Sequence, residues 1–220
     1  MLSYNSLSTS DYQNLRYQVL LATEENGNLK KTAYLDGNND PTIGIGFNLT
    51  AKNIRDAVLK GLGFDVSRTA SAAERQYISQ IEAIIKRSYG KNDVNLLRSA
   101  LNDVMARRSQ DSRIANRTHT TFAFTNDDEI RAVFNNLIET YETKVNDQLF
   151  AGIPNSRERV ALVSMAYNTR DGSKSLLGKG LKDALENGNR AEAWYQIRYN
   201  SNGNKLPGVA KLYSTVRWYT

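Results

Sequence analysis

Five polar side chains stand close together early in the chain: Glu24 and Glu25, Asp36 and Asp40, and Thr42. Two carboxylates carried on different elements are the groups that hydrolysis of a glycosidic bond requires. One, protonated, gives its proton to the leaving oxygen. The other, ionised, activates a water or stabilises the developing oxocarbenium charge. A threonine hydroxyl can hold that water. Each residue also has a plain structural explanation. Glutamates are common at helix ends, Asp36 and Asp40 flank a turn that favours Asp, and Thr42 is a good strand former.

The elements that must position these groups follow from the patterning. Ser10-Asp11-Tyr12-Gln13 has the form of a capping box, and Tyr12, Leu15, Val19 and Ala22 follow at helical spacing. This predicts a helix over 10–24, stopped at Asn26-Gly27. Ala33-Tyr34-Leu35 and Thr42-Ile43-Gly44-Ile45-Gly46-Phe47 flank a Gly/Asn/Asp/Pro turn and predict a hairpin, with Gly44 and Gly46 allowing close backbone approach. A lone hairpin is marginal in water, so it must lean on a helix.

Beyond Thr50, read as an N-cap, the chain is helical. Helices are expected over about 51–60, 71–88, 92–107, 127–149, 159–167, 174–186, 190–198 and 207–215, with an exposed loop over 106–119. The run from Arg159 to Tyr167 is apolar almost all round, which marks a helix buried among others. The fold class is α+β, mainly α. Residues 1–60 form a lobe with the first helix and the hairpin, 61–125 a helical connection, and 126–220 a larger helical lobe. A cleft between lobes of this kind is a default substrate site.

Composition removes other chemistries. The 220 residues include no cysteine and one histidine, His119, which excludes thiolate nucleophiles, Cys-ligated metals and multi-histidine sites. No metal or cofactor is expected. No apolar run approaches the ~20 residues of a bilayer span, and the N-terminus has neither the basic start nor the apolar run of a signal peptide, so no membrane insertion is expected. The net charge of +6 favours polyanions. Arg107, Arg108, Arg113 and Arg117 fall in the expected loop. No aromatics interleave with them, so a solvated loop is read there, not a nucleic-acid surface. His119, in the same polar stretch, is read as solvated.

The order of these residues resembles the catalytic segment of phage-type lysozymes, the endolysins of the bacteriophage T4 type. Leu20-Leu21-Ala22-Thr23-Glu24-Glu25 precedes Tyr34-Leu35-Asp36, and six residues after the aspartate comes Thr42-Ile43-Gly44-Ile45-Gly46. The resemblance implies Glu25 as general acid, Asp36 as second carboxylate and Thr42 as the water-positioning hydroxyl. The step from Glu25 to Tyr34 is nine residues where the family has seven, which implies an insertion at Asn26-Gly27. Both Glu24 and Glu25 stay candidates, with Glu25 preferred because it keeps the four-residue step from Leu21. The stretch from Arg157 to Asn168 is similar to the family's buried core helix, and Ile197-Arg198-Tyr199-Asn200 to part of its last helices.

By that resemblance Phe47, Asn48, Asn168 and Arg198 contact substrate, and the fold is lysozyme-like. The function implied is a muramidase cutting the β-1,4 bond between N-acetylmuramic acid and N-acetylglucosamine of peptidoglycan, acting as a monomer. It would be held in the host cytoplasm before release to the wall, or carried on a virion. A lytic transglycosylase and a non-catalytic wall-binding or structural phage protein are the alternatives. Residues 60–125 have no counterpart in the family.

Overall fold

A computed structural model of the chain describes residues 4–149, 152–167 and 178–196. It is mainly helical, with eight helices and one three-stranded antiparallel sheet among these residues, an α+β arrangement. The chain divides into two compact units. Residues 1–27 and 138–220 form the first and residues 28–137 the second. This division differs from the segments 1–60, 61–125 and 126–220 expected from sequence, because the first helix belongs with the C-terminal helices and the hairpin with the middle ones.

In the first unit, helix α1 spans Thr9–Glu25. Its cap is Ser8, whose hydroxyl accepts from the Asp11 amide at 3.1 Å; the expected capping residue, Ser10, is the second residue of the helix. Tyr12, Arg16 and Leu20, four apart, form the buried stripe. The helix stops as expected: Asn26 and Gly27 are both left-handed, and the Gly27 amide reaches back to Leu21 O at 3.1 Å. The unit also holds the C-terminal part of α5 (Asp127–Leu149), α6 (Arg157–Tyr167), α7 (Lys179–Glu186) and α8 (Arg190–Tyr195). α6 is buried from Arg159 through Ala166 and packs on α1, as its all-round apolar sequence predicts.

The second unit starts with the sheet: β1 (Lys30–Leu35), β2 (Pro41–Gly44) and β3 (Phe47–Asn48), in that order. The third strand was hidden in what reads as one run. Gly44 and Gly46 both have positive φ and turn the chain back through Ile45. A Cβ on Gly44 would sit 2.4 Å from the Phe47 ring, so this reversal requires glycine on two counts. Helix α4 (Val94–Gln110) packs on β1, and α2 (Lys52–Gly61) on β3, which gives the hairpin its support. On the outer edge of β1 the Phe124 amide donates to Lys31 O at 2.9 Å, and Ala123 bridges Thr32. That edge is thus partly paired.

Three local expectations are corrected. Thr50 does not cap α2; its hydroxyl is bonded to Asn48 Oδ1, and Ala51 holds the cap position. The exposed loop begins only after Gln110, because α4 continues through Arg107 and Arg108. The four arginines therefore do not share one solvated loop. Arg108 is 1 % exposed, held bidentately by Glu74 of α3 (Ala72–Ser88) at 2.6 and 3.2 Å, donates to Gly63 O, and stacks on Phe64 at 3.9 Å. Arg113 is paired with Asp111 at 2.7 Å. His119 is not solvated either: its Nε2 lies 3.1 Å from Glu129 Oε2 and its Nδ1 3.1 Å from the Thr118 hydroxyl.

Candidate catalytic residues and the polar face of the hairpin

The sheet register brings four of the polar residues together. Tyr34 faces Thr42 across β1 and β2, and Thr42 faces Asn48 across β2 and β3. The Asp36 amide donates to Asp40 O at 3.1 Å, so Asp36 and Asp40 are the next opposed pair two residues along. Side chains alternate between faces, so Asp36, Asp40, Thr42 and Asn48 share one face. Asp36 and Thr42 are diagonal neighbours on it, a relation that places Cβ atoms roughly 7–8 Å apart or somewhat less. Ile43 and Phe47, on the other face, are fully buried.

Within that face each hydrogen bond has a direction. The Thr42 hydroxyl donates to Asp40 O at 2.9 Å. Its proton is thereby committed, and its oxygen lone pairs are the groups it can offer to a partner. Asp36 Oδ1 accepts from the Asn38 and Asp40 amides at 2.8 and 2.9 Å, a turn that orders the β1–β2 connection. Asp36 is therefore both a candidate acid–base group and the residue that shapes its own loop. Asp40 is 1 % exposed and its Oδ2 accepts from Asn48 Nδ2 at 2.9 Å. Asn48 Oδ1 in turn accepts from the Thr50 amide and hydroxyl.

The glutamates close α1 in the first unit. Glu25 is its last residue and is 5 % exposed; Glu24 is half-buried. Glu24 lies near enough to Tyr141 of α5 that its charge adds to burial in pushing the Tyr141 hydroxyl upward in pKa. The last turn of α1 carries no basic residue. A helix C-terminus is the negative end of the macrodipole, so carboxylates at this end are not placed there by the helix itself.

Two of the expected substrate contacts have structural roles in the hairpin. Phe47 is fully buried, with its ring against Gly44, and is a core residue in place of a substrate contact. Asn48 is a brace within the hairpin, spending both ends of its amide on Asp40 and Thr50. Asn168 and Arg198, the other expected substrate contacts, lie outside the described residues, as does the helix expected over 207–215. What sequence reasoning passed over was the bracing role of Asp40, whose signal was only its position opposite Asp36 in the turn. Among the described residues no group of three or more His, Asp or Glu is arranged to hold a metal ion, and no helix is long and apolar enough to cross a membrane. No protein-family model, curated protein or solved structure matches this chain.

Proposed function

We propose that the protein is a peptidoglycan hydrolase, an N-acetylmuramidase cutting the β-1,4 bond between N-acetylmuramic acid and N-acetylglucosamine, of the kind phages use to lyse bacteria from within or carry on the virion. The observation that supports this reading best is the shared face of Asp36 and Thr42, with the threonine proton committed to Asp40 O. A hydroxyl so fixed accepts a hydrogen from a water and orients it, while a carboxylate beside it takes the water's other proton. In this reading Glu25 protonates the leaving oxygen as the glycosidic bond breaks. The water oxygen bonds the anomeric carbon, its proton passes to Asp36, and both products carry hydroxyls.

The test is Glu25→Gln, read as new reducing ends released from purified cell walls. A loss of about 10²–10⁴-fold is expected for removal of a general acid. Clearing at the wild-type rate would remove Glu25 from the reaction.

A second reading is favoured by one observation, the double acceptance by Asp36 Oδ1 from the turn amides. That role accounts for Asp36 without catalysis and leaves a single-glutamate lytic transglycosylase, which releases anhydro sugar ends and uses no water. Asp36→Asn keeps an acceptor oxygen for the turn. A hydrolase loses nearly all activity with it, whereas a transglycosylase keeps most and yields anhydro ends in mass analysis of the products.

A further inference from the structure

The corner between α3 and α4 takes no part in the chemistry above, and it carries a shallow groove open to solvent. Ile84, Leu96 and Ala100 line it together with Arg87, Lys91 and Asp93. Leu96 is 59 % exposed, and Tyr89, next to the lining residue Ser88, is 53 % exposed. These are two of the three large hydrophobic side chains left in solvent among the described residues, seven positions apart at one corner. Such concentration marks a contact surface more often than scattered exposure does.

The charges at the corner point the same way. Asp93 is committed to capping α4, its Oδ1 accepting from the Leu96 amide at 2.9 Å. The side chains of Arg87 and Lys91 have neither a hydrogen bond nor a carboxylate partner among the described residues. An exposed aliphatic and an exposed tyrosine beside two uncommitted cations suit a ligand that is both partly apolar and anionic. The corner is also fastened to the hairpin: the Gly90 amide donates to Asn39 O at 3.2 Å, and the Asn39 amide to Asp36 O at 2.9 Å. Arg98 Nε adds a second tie, to Ala33 O of β1 at 2.6 Å.

We propose that this groove is an accessory subsite for the peptide stems of the wall polymer, Arg87 and Lys91 pairing with stem carboxylates while Tyr89 and Leu96 pack on their apolar parts. The choice of ligand rests on the wall-hydrolase reading. Stem peptides are attached at fixed intervals along the glycan strand, so a strand engaged at Asp36 carries stems past a corner tied to the same turn. A free anionic polymer of phosphates has no such fixed relation to Asp36.

Binding is measured by co-sedimentation with purified sacculi freed of other anionic polymers, in a Glu25→Gln background so that nothing is cut. Arg87→Glu with Lys91→Glu is compared with the parent, on intact sacculi and on glycan strands stripped of peptide by an amidase. Both substitutions are on exposed side chains, and an unchanged unfolding midpoint verifies the fold. The expected result is about five- to tenfold weaker binding to sacculi at low ionic strength, shrinking as salt is added, with no change on stripped glycan. Equal binding to sacculi, an equal loss on stripped glycan, no binding by either protein, or an effect only on self-association in ultracentrifugation, which would assign the groove to a second copy, each overturns the proposal. Failure of the wild-type chain to release sugar ends, with the binding difference intact, overturns the hydrolase reading and leaves the subsite.

Discussion

Around Asp36, Asp40, Thr42 and Asn48 the hydrogen bonds described join residues two to eight positions apart. In the first unit Glu142 does the reverse. Its Oε1 takes the Tyr12 hydroxyl and Arg16 at 2.5 Å each, across 130 and 126 residues, and its Oε2 takes Arg159 at 2.6 and 2.9 Å. Arg159 also reaches Asn146 Oδ1 and Ile153 O. Both regions bury polar groups, yet the hairpin bonds just named are local, whereas the Glu142 cluster exists only by assembling α1, α5 and α6. In the hairpin one side chain can be altered while the backbone keeps its other bonds. In the cluster one carboxylate answers two guanidiniums, so its loss strands both in a buried place.

The electrostatics carry the same contrast. Burial and the bond to Glu142 both push the Tyr12 hydroxyl up in pKa, while at Arg159 the lowering by burial is outweighed by the Glu142 charge. The cluster thus gathers one carboxylate, two guanidiniums and a tyrosine that keeps its proton, which suits a structural brace. The hairpin leaves Asp36 half-buried and Thr42 buried, its oxygen keeping acceptor capacity beside its bond to Asp40 O.

The largest effect expected is on the cluster. Glu142→Gln should cost about 3–5 kcal/mol of stability, as removal of one member of a buried ion pair does, read as the shift in a urea unfolding midpoint. A loss below ~1 kcal/mol would erase the distinction between the two regions. Next comes the β2–β3 reversal. Gly44→Ala places a Cβ into the Phe47 ring at positive φ and should cost about 1–3 kcal/mol, with activity falling because Thr42 and Asn48 are carried by the displaced strands. Unchanged stability there would mean that the reversal is not the constraint on the hairpin.

The smallest effect concerns Glu129, in the first turn of α5. Burial works against its ionisation, but the Thr125 amide and His119 outweigh that and hold its carboxyl below the ordinary value near 4.5. A carboxyl depressed in the folded state stabilises above its unfolded pKa, and the contribution is lost as pH falls through the folded one. Glu129→Gln should therefore remove a stabilisation of ~0.5 kcal/mol or less near neutral pH and flatten the stability profile below about 4.5. An identical acid-side slope in both proteins would show that Glu129 makes no such contribution.

The extent to which sequence sufficed follows the same division. The helix over 10–24 was legible because Tyr12, Leu15, Val19 and Ala22 recur at helical spacing and Asn26-Gly27 stops it in a left-handed pair, although the stripe it buries is Tyr12, Arg16 and Leu20. The turn at Asp36 was legible because an Asx-turn is made by neighbours. The third strand was not, because Ile43-Gly44-Ile45-Gly46-Phe47 has the composition of one strand, and only the positive φ adopted at Gly44 and Gly46 folds it into two. Arg108 looked like a loop cation because Glu74, which neutralises it, is 34 residues away.

What the sequence by itself determined is the set of local frames: which segments are helices, where α1 stops, and that Asp36 and Thr42 stand six residues apart around one turn. Side-chain periodicity, caps and turn chemistry act over a few residues and can be read from a few residues. What only the tertiary structure decided is which polar groups are committed to one another and which stay open to solvent. Phe47 became core, Asn48 a brace and Arg108 a buried anchor, while Arg87 and Lys91, with no carboxylate partner among the described residues, stayed in solvent. The physical reason is that burial and ion pairing depend on what arrives from far along the chain.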